Sequence, residues 1–396
     1  MRLKAIQPVT FPWFDYSKYS FSLGLTAGKS TFLSGHSASE FDASIERIVI
    51  NGDIEEQTRT AYRKISQILD AAGHGIKDIV RIVEYVTVEG LSSYPTVQRT
   101  RAELLDSVNP AVNVVVVQRL LRSEALIEVE VIAERDSKGF GVNPANLPSL
   151  SLARAAGGTV YLSTIHPYDQ NGELVGEGNI VEQTRQIFLN AESILKTCGL
   201  SLSHVVKTLE MIRPEGLPDY RHTGRIRKEY LGPVYPGAAG IVQQQVAPDD
   251  RVLISYDFTA SVHLPEPINP GWERYERLAY SPAVRAGNML FMSGQAALDP
   301  ETEQAVHTGD IVSQTNYTYR NIIKVLEAAG LGAQNLIKTI EYVTPEGLPR
   351  YRETAAVRKL ILSEPYPAST GAVCHSLLRP EFEIEIDPTA IFFEDD

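Results

Sequence analysis

One short pattern, written three times at long and nearly equal spacing, constrains this chain more than any other feature. It reads Glu84-Tyr85-Val86-Thr87-Val88-Glu89-Gly90-Leu91, then Glu210-Met211-Ile212-Arg213-Pro214-Glu215-Gly216-Leu217, then Glu341-Tyr342-Val343-Thr344-Pro345-Glu346-Gly347-Leu348. The offsets are 126 and 131 residues, and they also relate Gln57-Thr58 to Gln183-Thr184 and Gln314-Thr315, and Pro110 to Pro236 and Pro367. Three landmarks in one register mean a triplicated domain, because solenoid repeats are far shorter. The 396 residues divide into units at 15–135, 148–260 and 276–391. Between them, Asp136 to Leu147 and the proline-bearing Ser261 to Tyr275 read as extended linkers.

Each unit alternates strands and helices. Thr31-Phe32-Leu33-Ser34, Val160-Tyr161-Leu162-Ser163 and Leu290-Phe291-Met292-Ser293 read as strand ends. A helix follows, in unit one capped by Asp53 and stopped at Gly73, with Gly199 and Gly330 as the matching stops. The glutamate-bearing strand comes next, then a second helix starting near Tyr94, Tyr220 or Tyr351, then two closing strands. The order ββαβαββ predicts an α+β unit, a mostly antiparallel sheet with two helices on one face.

Composition excludes several classes. With 37 Lys and Arg against 49 Asp and Glu the formal charge is −12, a poor match for nucleic acid or anionic lipid. Cys198 and Cys374 make no disulfide framework, and no Cys/His cluster has metal-ligand spacing. No apolar run is long enough to span a bilayer, and the first residues lack a signal-peptide block, so a cytoplasmic protein without metal or cofactor is expected. Phosphate-binding loops and nucleophile-elbow sequences are also absent.

The third repeat carries a resemblance. Ala279-Tyr280-Ser281, Ala286-Gly287-Asn288-Met289-Leu290-Phe291-Met292-Ser293-Gly294-Gln295, Tyr366-Pro367-Ala368 and Glu383-Ile384-Glu385 resemble the RidA/YjgF (reactive-intermediate deaminase) family. Unit one keeps Tyr19-Ser20, Ser34-Gly35, Pro110-Ala111 and Glu128-Val129-Glu130, and unit two is the most diverged. The resemblance implies three tandem Rid-like (chorismate-mutase-like) units closing into an intramolecular pseudo-trimer, a monomer with clefts between units. It also implies hydrolysis of imines or enamines, with a terminal-strand glutamate positioning water. Glu128 and Glu385 match that glutamate, and Ser255 stands in unit two. Tyr19, Tyr280, Ser34, Ser163 and Ser293 fall at the family's binding positions, with His36 and Gln295 just beyond.

The family's arginine after Pro-Ala is missing, replaced by Val112, Ala238 and Ser369, and its helix asparagine by Gln98, Gly224 and Ala355. Losing a charge-assisted clamp worth about 1.5–3 kcal/mol argues against an ordinary 2-iminoacid substrate and for a neutral or ring-shaped one. The repeated Glu84, Glu210 and Glu341 have Arg101, Arg227 and Arg358 one helix away. Either each pair clamps helix to sheet, or the glutamates face the cleft as acid/base groups beside substrate-binding arginines. Cys374 and the amide Gln243 are further cleft candidates. The function expected is a hydrolase or deaminase of a small nitrogen-containing metabolite. Cyanuric-acid-hydrolase or barbiturase-like ring opening, chorismatase-like enol-ether hydrolysis and a non-catalytic binding protein are the alternatives.

Overall fold

Alternating apolar residues make the sheet of each unit, and an amphipathic first helix covers one face of it. In the computed structural model, which describes residues 3–106, 108–142 and 151–393, the first helix of unit one spans Ile54–Ala71. Asp53 accepts from the Glu55 and Glu56 N–H groups, Glu56 reaches back to the Asp53 N–H, and Gly73 ends the turn at φ +75°. Ile180–Thr197 and Ile311–Ala328 repeat the helix. The second helix is Tyr94–Leu105 in unit one, but Gly224–Leu231 and Thr354–Ile361 in the others, later than the tyrosine landmark. A one-turn helix, Leu217–Tyr220, and a 3₁₀ turn, Leu348–Glu353, carry Tyr220 and Tyr351 and take up the difference.

The three sheets share one order. The glutamate strand (Ile79–Thr87, Val205–Ile212, Leu336–Val343) lies between an antiparallel terminal strand (Ile127–Glu134, Ile254–Ser261, Ile384–Ile391) and a parallel strand that follows Pro110, Pro236 or Pro367 (Ala111–Val117, Gly237–Val242, Ala368–Val373). The segments read as linkers are partly sheet. Lys138–Val142 pairs with Ser151–Ala156, and Glu266–Ile268 pairs with Ala283–Ala286, so the connections pair backbone groups that a free linker would leave to water. Residues 143–147 of the first expected linker lie outside the described ones.

On the helix side each unit has its own apolar core. The opposite sheet faces meet in a shared core with Tyr85 and Val115 from unit one, Met211 and Ile241 from unit two, and Tyr342 and Ala372 from unit three. Backbone bonds tie the units in a cycle. Ser22 and Gly35 of unit one donate to Pro367 and Ser369 of unit three, Ser151 and Thr164 of unit two to Pro110 and Val112, and Ser281 and Gly294 of unit three to Pro236 and Ala238. Two short strands also cross over: Arg119–Leu120 joins the sheet of unit three, and Ser376–Leu377 joins that of unit two. Among the described residues no strand of unit two adds to unit one in this way.

Charges line the centre, one basic and one acidic position per unit. Lys338 meets Glu130 of unit one at 2.9 Å, Lys207 meets Asp387 of unit three, and Arg81 approaches Asp257 of unit two at 3.9 Å. Each lysine also donates to the backbone of the next unit, at Leu33 and Met292 respectively. Removing one partner strands a buried charge. Lys338→Met and Lys207→Met are therefore expected to lower unfolding free energy by about 3–5 kcal/mol. Arg81→Met, at the longest contact, costs less, and denaturant unfolding of the three variants gives the order.

Candidate functional site

Each joint is built around a serine. Ser34 Oγ donates to the Ser22 carbonyl (2.6 Å) and accepts from the Ser369 N–H of unit three (2.8 Å). Ser163 does the same between Ser151 and Val112, and Ser293 between Ser281 and Ala238. The residues that stand in place of the family arginine thus give their N–H groups to these serines. All three hydroxyls are engaged within the protein.

The terminal-strand acids come next. Glu128 Oε1 lies so close to Gly35 that a Cβ there would sit 2.1 Å from it, and Glu385 Oε1 would be 2.2 Å from a Cβ on Gly294. The carboxylate occupies the space that a side chain on either glycine would take. Unit two makes the matching double change, Thr164 for glycine and Ser255 for glutamate, and Thr164 Oγ1 bonds Asp257 (2.6 Å) and the Val114 N–H (3.0 Å) instead. Opposite, Leu378 packs over Gly240 and Leu121 over Gly371, whereas the first–second joint has Ala247 and Val114 at those positions. The carboxylate site is therefore present at two joints, unit one with unit three and unit three with unit two.

Burial controls the protonation of both acids. Desolvation pushes Glu385 up to about 8, Asp387 adding to the effect and Lys207 opposing it, and pushes Glu128 up to about 7 against the pull of Lys338. Burial drives His36 down to about 3, so it is neutral, with Nε2 at 3.2 Å from the Leu23 carbonyl oxygen. Gln295 donates to the Ser293 carbonyl (3.3 Å). Near Glu128 lies Lys64, which the sequence reading passed over. Burial lowers it to about 7, and it donates to the Ser37 and Ser39 carbonyls, a loop-holding task that Asn190 and Asn321 perform with amides in the other units.

Glu84, Glu210 and Glu341 are buried against their arginines. Arg101 meets Glu84 at 2.6 Å and Arg358 meets Glu341 at 2.7 Å, while Arg227 pairs with Glu210. Tyr94, Tyr220 and Tyr351 donate to the same carboxylates. One difference bears on binding: Arg358 Nε donates to Ser20 of unit one (3.1 Å), but Arg101 Nε and Arg227 Nε are buried without a partner. Tyr280 is half-buried with its ring 5.5 Å from Tyr275, while Tyr19 is 38% exposed. Cys374 belongs to the shared core, its Sγ 3.4 Å from the Val343 carbonyl, and burial raises its thiol well out of the thiolate range. Gln243 is fully buried with both amide atoms unpartnered, and it lines neither of the two concavities. The larger of these, about 770 Å³, lies on unit three among Trp272, Arg274, Lys324 and Glu327, and none of the terminal-strand acids lines it. The smaller one is central.

The family model of endoribonuclease L-PSP matches residues 16–135, 141–256 and 274–392. The chain belongs to this family. A RutC family protein of Pyrococcus horikoshii is 42% identical over 79 residues, 20% of this chain and 55% of that protein. Another, of Synechocystis, is 27% identical over 127 residues, 32% of this chain and 89% of its own length. The chain spans about half the length of the first curated relatives it matches. A chorismatase crystal structure covers 79% of this chain and 93% of its own at TM-score 0.54 and 15% identity, a likeness of fold. The Rid resemblance and three tandem Rid-like domains of α+β class follow. No described helix is long and apolar enough to cross a membrane.

An acid held above its ordinary pKa takes up a proton on folding, so its contribution falls as pH rises from the ordinary carboxylate range through the folded value. Glu385→Gln is accordingly expected to be more stable than the parent at pH 9 by about 1–3 kcal/mol and no more stable at pH 4. Gly294→Ala should expel the carboxylate and abolish this pH-dependent difference, as read by unfolding at the two pH values.

Proposed function

We propose that this protein is a hydrolase or deaminase of a small nitrogen-containing metabolite, acting where unit three meets unit two, with its chain working as a monomeric pseudo-trimer. The observation that carries the reading is Glu385, seated on Gly294 at an inter-unit joint and held near 8 by burial. A carboxyl poised near neutrality can both give and take a proton. In its acid form Glu385 protonates the substrate nitrogen, and the resulting carboxylate then takes a proton from the water that attacks the carbon. One water is consumed, the C–N bond breaks, the nitrogen leaves as ammonia or an amine, and a carbonyl remains.

The unpartnered Arg227 Nε favours this joint over that of unit one with unit three. In the latter, Ser20 already takes the equivalent N–H of Arg358. Arg227 Nε is thus the donor for a substrate acceptor, with Tyr280 and Gln295 as neighbouring wall. Its charge is largely spent on Glu210, which suits a neutral acceptor better than a second carboxylate. Glu84 and Glu341, with Arg101 and Arg358, hold helix to sheet in this reading. Glu128 is the second acid/base site. The net charge of −12 supports a small-molecule substrate over RNA, although the family's description speaks of an endoribonuclease.

A screen of imines, enamines and cyclic amides that follows ammonia and carbonyl release tests this. Activity should fall as pH rises through about 8, and Glu385→Gln should lose activity at least about 100-fold, the scale of general acid–base catalysis. Turnover unchanged in both Glu385→Gln and Glu128→Gln would support the alternative, a non-catalytic binding protein. Sedimentation at the mass of one chain is expected.

A further inference from the structure

One position on the strand after the repeated proline sits between each joint and the axial charges, and its occupants differ. It is Asn113 in unit one, Ala239 in unit two and Thr370 in unit three. Thr370 Oγ1 accepts from the Gly35 N–H (3.0 Å) and from Lys338 Nζ (2.9 Å), and donates to Glu130 (2.7 Å). Asn113 donates to the Leu162 carbonyl (3.0 Å) and accepts from Arg81 Nε (2.6 Å). Ala239 carries no polar group, and the joint it faces is that of Glu385.

The rest of the frame is the same at the two acid joints. Lys338 spends its three N–H groups on Thr370, Glu130 and the Leu33 carbonyl. Lys207 repeats two of these, with Asp387 and the Met292 carbonyl, and its third N–H has no acceptor among the described residues. The Gly35 N–H is shared between Thr370 Oγ1 and the Ser369 carbonyl (3.3 Å), whereas the Gly294 N–H keeps only the Ala238 carbonyl (3.0 Å). A Cβ on Gly294 would lie 3.2 Å from the Ala239 Cβ and 2.2 Å from Glu385 Oε1, so alanine, glycine and acid are neighbours. The axial carboxylate has shortened at the same place, from Glu130 to Asp387. Tyr85 Oη reaches Glu130 at 3.3 Å, but its fully buried counterpart Tyr342 has an unpartnered Oη.

Threonine carries a hydroxyl and a methyl that alanine lacks, and glutamate a methylene that aspartate lacks. Together they leave room on the order of one water, about 30 Å³ of liquid volume, beside donors that are costly to bury unmet. We propose that the joint of units three and two seats one ordered water where Thr370 places its hydroxyl at the other acid joint, held by Lys207 Nζ, the Gly294 N–H and Asp387, and that this is the water consumed in hydrolysis. It accepts from Lys207 and Gly294 and donates one O–H to Asp387. The second O–H is left for Glu385, which takes that proton as the oxygen bonds the substrate carbon. The seat stands on the hydrogen-bond frame, while the role of its water rests on the reading of Glu385 given above. Where Thr370 fills the seat, Glu128 has no such water.

Magnetic relaxation dispersion of water oxygen counts the long-lived buried waters of the full chain. Ala239→Thr should lower that count by one and Thr370→Ala should raise it by one, so the second variant keeps the test open should the first fail to fold. With a compound turned over in the screen, Ala239→Thr should lose kcat by about 100-fold while KM stays within about twofold, a split that a merely structural change would not produce. Unchanged counts in both variants would overturn the seat, and a lost water with unchanged kcat would overturn its role. If the parent turns over none of the compounds, the reading of Glu385 and the role of the water fall together, while the counts still decide the seat.

Discussion

Everything in this protein depends on a hydrogen bond made three times, from the strand after the repeated proline to a serine at the end of the neighbouring unit's opening strand. A sheet edge left open exposes N–H groups that need partners. Here the edge is covered by the next unit, and Ser34, Ser163 and Ser293 complete the pairing where backbone geometry leaves a gap. Once those contacts are fixed, the terminal strands bring Glu128 and Glu385 to the joints. Two residues further along the same strands, Glu130 and Asp387 reach the axis, because residues i and i+2 share a face. The joint acids and the axial ring are thus one construction.

Triplication lets equivalent positions separate in role. At two joints a glutamate rests on a glycine, while at the third the two are replaced together by serine and threonine. A single change leaves a mismatch: a side chain on Gly35 needs the Glu128 carboxylate to move, and losing the glutamate alone leaves a buried gap. The first–second joint has become a seam held by Thr164, Asp257 and Asn113. The same logic sets Arg358, capped by Ser20, apart from Arg227.

Much of the architecture was legible because repeat offsets are arithmetic. The units, the helix caps at Asp53 and Gly73 and the strand-ending serines follow from local chemistry. Pairing of Glu84, Glu210 and Glu341 with their arginines was one of two readings, since Ile82, Val83, Tyr85 and Val86 are apolar on both strand faces and conceal which side is inward. The axial ring was missed although its signal was present: Arg81, Lys207 and Lys338 fall on the same offsets of 126 and 131. A basic residue recurring mid-strand among apolar ones marks a buried charge awaiting a partner. The contact of Glu128 with Gly35 was less accessible, because it joins residues about 90 apart whose covariation shows only when all three repeats are compared. Gln243 and Cys374 were read as cleft candidates from polarity in a strand; both are buried, Cys374 in the shared core.

The crossed strands have a consequence for biosynthesis. Unit one leaves the ribosome first, yet its Ser22 and Gly35 bond to Pro367 and Ser369, and Arg119–Leu120 pairs with Val373 and Ala372. Those partners belong to unit three, which is made after the other two. Unit one therefore waits, with an uncovered strand and an unfilled joint, until unit three has been translated. Of the three units, the one born first is completed only with the third.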